Sequence, residues 1–517
     1  MKVPKTRLRH RTLTGLTLTA LCALTAHADS NWTGATSHDW NDNTNWDSGL
    51  PGTTPGNATT WAVIFTGPSN SPVISADSLG SPVAIGIGGG SRLDQTAGLL
   101  TETASDWPGG SMLIGLYGNG TYNLANTTTT GGAFTGYGTG SGSFTTGAWG
   151  SIQVGAGWWW DHSTAVMNVN TSGTLQINGD LAVAGAKGDN SIVNIDAGTV
   201  IVNSNSKIAS GSSTETSTGS LNMSGGTVTF VNRLTMGDGT RSGDGSVGNP
   251  YVYANGSNVA TLTMTGGSLT TNSTHNENWH GGLSMASGYD GAVGGTATFN
   301  LNGGTLTTLY VFSETTGGGT KGTSTFNFNG GTLKASGSYG AFMEGLTRAN
   351  VRNGGAIVDT NSFNVTIAQD LVHSNIGGDN AIDGGLTKQG LGTLTLTGAN
   401  TFTGSIHVNA GTLSINSAFI ANTASVYLLT GGTLDLNYSG SDTIVGLFID
   451  GAAQNVGTWG SLSSSADFKS ALITGNGLLN ITSSAIPEPS TYAIAAGGLA
   501  LVGAMVVRRR RAQSAKA

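Results

Sequence analysis

The chain has 517 residues, 84 of them glycine, and only 9% of its side chains are charged. An apolar share of 37%, much of it alternating with polar residues, argues against disorder, which needs low hydrophobicity and high net charge. The formal charge of −7 gathers much of its basic part at the two ends, and residues 29–486 keep 11 basic against 27 acidic side chains, a net −16. An acidic body of this kind excludes nucleic acid as a partner, because phosphate binding needs the opposite balance.

Residues 1–28 read as a secretory signal. Basic residues run to Arg11, an apolar stretch runs from Leu13 to about Leu24, and Ala26-His27-Ala28 supplies a small-x-small cleavage site at Ala26 and Ala28. The single cysteine, Cys22, lies inside that stretch. Cleavage leaves a mature chain without thiols, hence without disulfides or thiolate metal sites. No cofactor is expected.

Residues 29–66 form a tryptophan-rich segment. Trp32, Trp40, Trp46 and Trp61 crowd together, and Ala62-Val63-Ile64-Phe65 reads as a buried strand. A solenoid needs its first coil covered, and tryptophan is a large apolar cover with one polar handle. This segment is expected to be an N-terminal cap rather than a sugar platform.

Residues 67–439 carry the repeats. The clearest copy is Phe326-Asn327-Phe328-Asn329-Gly330-Gly331-Thr332-Leu333, echoed at 299–306, 262–269 and 221–228. Alternation puts apolar residues on one side and amides on the other. Paired glycines turn the chain, since glycine reaches positive φ without steric cost. A period of about 25 residues without helical pattern predicts one coil of a parallel β-solenoid, with two or three short strands per coil. The fold class is therefore all-β, a parallel β-helix, of roughly 18 coils. Leu301, Leu306, Phe326 and Leu333 are expected inside, and Asn300, Asn302, Asn327 and Asn329 outside or capping turns. Three adjacent tryptophans, Trp158, Trp159 and Trp160, cannot all face inward from one strand. They are the candidate glycan contact, with exopolysaccharide as the partner.

Residues 384–416 are the most regular stretch. Leu386-Thr387-Lys388-Gln389-Gly390-Leu391-Gly392-Thr393-Leu394-Thr395-Leu396-Thr397-Gly398-Ala399-Asn400-Thr401-Phe402-Thr403-Gly404 leads to Gly411-Thr412-Leu413. The stretch resembles the autotransporter-associated β-strand repeat. That resemblance implies a secreted parallel β-helix and no particular activity. Residues 440–484 read as a C-terminal cap of the solenoid, and no room follows for the membrane barrel of an autotransporter.

Residues 485–517 combine Pro487-Glu488-Pro489, an apolar run from Ala493 to Val507, and Arg508, Arg509, Arg510 and Arg511. Motif, run and basic stop, in that order, resemble the PEP-CTERM sorting signal of Gram-negative bacteria. The resemblance implies an exosortase-type processing enzyme as partner and an inner-membrane intermediate before release to the cell surface or beyond. The run is one short transmembrane helix of roughly 22 Å, marginal against a bilayer core of about 30 Å.

An enzyme is the alternative, as a β-helix polysaccharide lyase or glycoside hydrolase. Glycoside hydrolysis needs two carboxylates facing one groove. Arg348 and Arg352 flank a strand start, with no acidic cluster read at one-coil spacing. The stretch His275-Asn276-Glu277-Asn278-Trp279-His280 lacks the helical histidine pair of zinc hydrolases. Asp238 and Asp244 stand in Asp-Gly pairs that serve turns more often than calcium. The reading is a non-enzymatic, structural or adhesive protein of the cell envelope or extracellular matrix.

Overall fold

Each strand alternates apolar and polar residues, so a single strand offers one apolar face and must find neighbours to bury it. The computed structural model shows how. It describes residues 29–53, 61–65, 71–103, 112–130, 133–148, 150–155, 162–185, 188–210, 215–242, 252–271 and 281–482. These residues are all-β apart from one short 3-10 turn at Asn43–Asn45. Nearly every strand pairs in parallel with the equivalent strand of the next coil, the arrangement of a β-solenoid.

A typical coil has three strands. Thr296–Leu301 lies on the first face, Thr305–Thr308 on the second and Val311–Phe312 on the third. The register is strict. Leu221, Leu262, Phe299 and Phe326 form one column, and Val228, Leu269, Leu306 and Leu333 form another. All eight are fully buried. Phe299 and Phe326 stack with ring centroids 5.0 Å apart and planes at 11°. The alternation therefore fixes face and register together, because a slip of one residue would send the whole apolar set outward.

The paired glycines make the corner between the first and second faces. Gly267 has φ +76° and Gly304 has φ +68°. A Cβ on Gly267 would collide with the Gly225 carbonyl oxygen, and one on Gly304 with the Gly267 carbonyl oxygen. Positive φ and backbone-on-backbone stacking both demand glycine here.

The third face is a 16-stranded sheet, so the described residues make sixteen coils there rather than roughly 18. Insertions take up the difference. Between strands Leu234–Met236 and Leu283–Met285, which are neighbours in that sheet, the chain adds an antiparallel pair at Arg241–Ser242 and Val252–Tyr253.

Beyond His373 the coil changes. The first-face ladder ends at Leu371–His373, and the coils that follow, up to Gly432–Leu436, have two strands each. Partners lie 27 residues apart at Asn300 and Asn327 but 20 apart at Ser405 and Ser425. Phe402 and Ile420 are buried where first-face strands would otherwise lie. The short coils begin in the stretch that carried the clearest repeat pattern. There Lys388 points inward, between Val358 and Val408 in the ladder, and is fully buried. Its Nζ donates to the carbonyls of Gln389 (2.9 Å), Gly390 (2.7 Å) and Ala410 (3.0 Å) and to Thr360 Oγ1 (3.0 Å). One ammonium thus ties three coils together. Burial pushes its pKa down to about 8, which leaves it charged at neutral pH.

At the N-terminal end Trp32, Trp40 and Trp46 are buried in the same apolar cluster as Ile64, Ile74 and Ile85. They meet edge to face, with centroids 5.2 and 4.9 Å apart. Trp46 Nε1 donates to the Trp40 carbonyl and Trp40 Nε1 to Ser78 Oγ. At the other end Ala452–Ala453 folds back antiparallel onto Phe448 and Ile449. Leu478–Ile481 pairs with both Ser441–Ile444 and Gly457–Gly460.

The outward asparagines keep the expected face and cover one another. Asn123, Asn168, Asn194 and Asn222 stand one above another, as do Asn300, Asn327 and Asn350, with Thr263 taking one rung between the two sets. Asn327 donates Nδ2 to Asn300 Oδ1 at 2.7 Å and accepts from Asn350 Nδ2 at 2.8 Å. It points away from the core yet is 3% exposed, because its neighbours cover it. The ladder starts on Asp94, which accepts from Asn123 Nδ2 at 2.7 Å and pairs with Arg92 at 2.8 Å. It ends on Arg348, whose Nε donates to Asn350 Oδ1. Every amide donates toward the N-terminus, so an acceptor-only group closes one end and a donor-only group the other.

Candidate functional site

The residues singled out in the sequence as sites lie outside the described residues. This holds for Ala26 and Ala28, for Trp158, Trp159 and Trp160, for Pro487, Glu488 and Pro489, and for Arg508, Arg509, Arg510 and Arg511. The stretch 275–280 and Asp244 lie outside them too. Among the described residues, no helix is long and apolar enough to cross a membrane, and no three His, Cys, Asp or Glu side chains cluster as a metal site would require.

Two polar clusters are built into the rod. The first lies outside the third face, where a second layer of chain covers Ser284. Tyr289 and Thr316 belong to that layer, which is joined by the short parallel pair Gly288–Tyr289 and Thr315–Thr316. Asp238 accepts from Ser284 Oγ at 2.5 Å and from the Ser287 N–H at 2.9 Å. Ser284 Oγ lies 2.9 Å from Ser287 Oγ and 3.2 Å from the Tyr289 hydroxyl. The Arg233 guanidinium sits over the Tyr289 ring at 5.4 Å and donates to its hydroxyl at 3.3 Å. Burial pushes the Asp238 carboxyl up to about 6, offset in part by Arg233 and the two donors. Burial likewise raises the Tyr289 hydroxyl. Serine, aspartate and tyrosine in contact suggest nucleophile chemistry, but Ser284 and Ser287 are fully buried and Asp238 nearly so. A substrate has no path to them. The cluster's chemistry is adhesive: it fastens the outer layer to the sheet. Asp238 was read as a turn residue, and this burial was not legible because its partners stand 46 and 49 residues away.

The second cluster sits where the first face ends. Asp383 holds His373 Nδ1 at 2.8 Å and accepts from the N–H groups of Thr403, Gly404 and Gly385 at 2.8 to 2.9 Å. Arg348 donates an Nη to the His373 carbonyl at 2.8 Å. Arg352 grips Asp379 with two bonds, at 2.8 and 2.9 Å. Those bonds raise the arginine's pKa and lower the aspartate's. The sequence shows no acidic cluster beside the arginines, and the structure adds a single acid, Asp379, as the partner of Arg352. Asp379 follows Arg352 by 27 residues, one long coil. The loop that carries it departs from the repeat phrase, so phase alone did not reveal it. The two carboxylates hold Arg352, His373 and the turn at Thr403.

Comparison with known proteins adds to this geometry. Residues 386–415 match the Passenger-associated-transport-repeat. Residues 485–511 match the PEP-CTERM protein-sorting motif. The chain carries a passenger repeat and a sorting motif. Both resemblances read from the sequence therefore hold, and the first falls where the two-strand coils begin. A 70-residue stretch is 46% identical to the Adhesin BmaC autotransporter of Brucella suis biovar 1 (strain 1330). It covers 14% of this chain and 2% of that protein, so the chain spans only a small part of the length of the relative it matches. No solved structure matches.

Proposed function

We propose that this chain is an exported, non-enzymatic β-solenoid of the cell surface or matrix, sorted through its C-terminal motif. Its role is structural or adhesive and associates it with exopolysaccharide. The observation that carries the reading is the sorting motif at 485–511 on a rod whose described polar clusters are closed. The passenger repeat and the adhesin likeness point the same way. An exosortase-type enzyme is the processing partner. The segment from Ala493 to Val507 anchors the chain in the inner membrane until the chain is cut near Pro487, Glu488 and Pro489. Arg508 to Arg511 hold its end on the cytoplasmic side. Ala26 and Ala28 mark the export cleavage. Residues 29–66 and 440–484 close the two ends of the repeats at 67–439.

The test uses protein recovered from the host and the host's own surface polysaccharide. The protein should sediment with that polysaccharide and leave its reducing ends and unsaturated products unchanged over hours. Turnover would replace this reading with the lyase or hydrolase alternative.

A further inference from the structure

Four successive coils present the same outward chemistry. Their first-face strands are Thr218–Met223, Val259–Met264, Thr296–Leu301 and Thr323–Phe328. Their second-face strands are Thr227–Phe230, Ser268–Thr271, Thr305–Thr308 and Thr332–Ala335. Every outward position on these strands is Ser, Thr or Asn, except Val259 and Lys334. No carboxylate stands among them, although the body carries −16. The charged groups Arg233, Asp238 and Glu314 belong to the third face.

From this we infer that the first and second faces of coils 218–335 form a binding pavement for a neutral polysaccharide laid along the rod. Three observations carry it. The hydroxyls lie in strict columns, such as Ser220, Thr261, Thr298 and Thr325, so an axial chain meets the same donors and acceptors at each rung. The rung spacing of about 4.8 Å is comparable to one residue of an extended β-linked glycan. The ladder amides add aligned donors: Asn222 and Asn300 each spend one N–H on the preceding rung, at 3.0 and 3.2 Å, and an amide nitrogen has two. Charge selects the class. A strongly acidic body repels anionic polymers, whereas a pavement whose one charge, Lys334, is already paired with Asp359 meets an uncharged, hydroxyl-rich chain with little ion desolvation.

The inference rests on the surface reading above. Export and processing are measured in the host and glycan binding on the purified chain, so either can fail alone. The full chain is run in affinity electrophoresis against hydroxyethyl cellulose, laminarin and galactomannan, with polygalacturonate as the acidic comparator. At least one neutral polymer should retard it, and polygalacturonate should not. Thr298→Glu with Thr307→Glu should weaken retardation at least tenfold. Thr298→Ala with Thr307→Ala should weaken it less, with unchanged circular dichroism melts for this milder pair. Thr395→Glu, on the third face, should leave it unchanged. Failure to bind all three neutral polymers would overturn the inference, and so would pavement variants that bind like the parent. So would loss of binding in Trp158→Ala with full binding in the pavement variants, which would move the contact to the tryptophans.

Discussion

Phe326 and Asn327 are adjacent, point to opposite sides, and are both buried. Their contributions differ in kind. Phe326→Ala removes a stacked core ring and should cost about 3 to 5 kcal/mol. Asn327→Ala leaves Asn300 Oδ1 and Asn350 Nδ2 without partners under cover, at about 1 to 3 kcal/mol. Urea unfolding of both variants checks the ordering, and equal costs would show that the face assignment is wrong. The alternation made the face legible, but the burial of Asn327 was not, because it comes from the rungs above and below. Lys388 is a sharper case. The pattern contains it without explaining it, and the structure supplies the reason as the carbonyls of Gln389 and Gly390 in its own turn, that of Ala410 in the next and the Thr360 hydroxyl in the one before. Lys388→Met should destabilise by about 3 to 5 kcal/mol, since those acceptors lose their charged donor. Its depressed folded pKa has a signed consequence. Between about 8 and the ordinary 10.5 the unfolded chain binds the proton more readily than the folded chain does. Stability should therefore rise as pH climbs from 8 toward 10. Lys388→Met should flatten that rise, and an equal slope in both proteins would show that the lysine is not the titrating group.

The turn and the coil are the next scale. Gly267 and Gly318 both have positive φ, at +76° and +78°, but only Gly267 is packed against backbone. A Cβ on Gly318 meets nothing within 4 Å. Gly318→Ala should thus cost about 1 to 2 kcal/mol, the left-handed penalty alone. Gly267→Ala adds a collision with the Gly225 carbonyl and should cost clearly more. Denaturation midpoints of the pair measure the difference directly. At this scale much was legible. The phrase shared by 221–228, 262–269, 299–306 and 326–333 predicted the strands, the corner and the parallel register. The shift to two-strand coils after His373 was not legible, because losing a face shortens the period without altering the Gly-Thr-Leu phrase. The inserted loops hid the Arg352–Asp379 pair and the Asp238 cluster for a related reason. Their partners are set by where loops return, and no local pattern encodes that.

For the whole molecule, stacking rather than any one coil supplies stability, since each repeat buries its apolar face only against its neighbours. The charge is also distributed at this scale. An acidic rod with basic ends becomes more acidic once its ends are cut. The fold class was readable because periodicity repeats many times. The sorting motif was readable because three local features stand in order at 485–517. A ligand was not readable, since the outward residues that would meet it are the commonest polar residues of a strand surface. The account turns on what happens to the two ends. Intact-mass analysis of the protein shed from or attached to the surface of its native host decides this. The account predicts chains that begin at Asp29 and stop near Pro487 to Ser490. Surface chains that still carry Arg508 to Ala517 as their dominant form would contradict it.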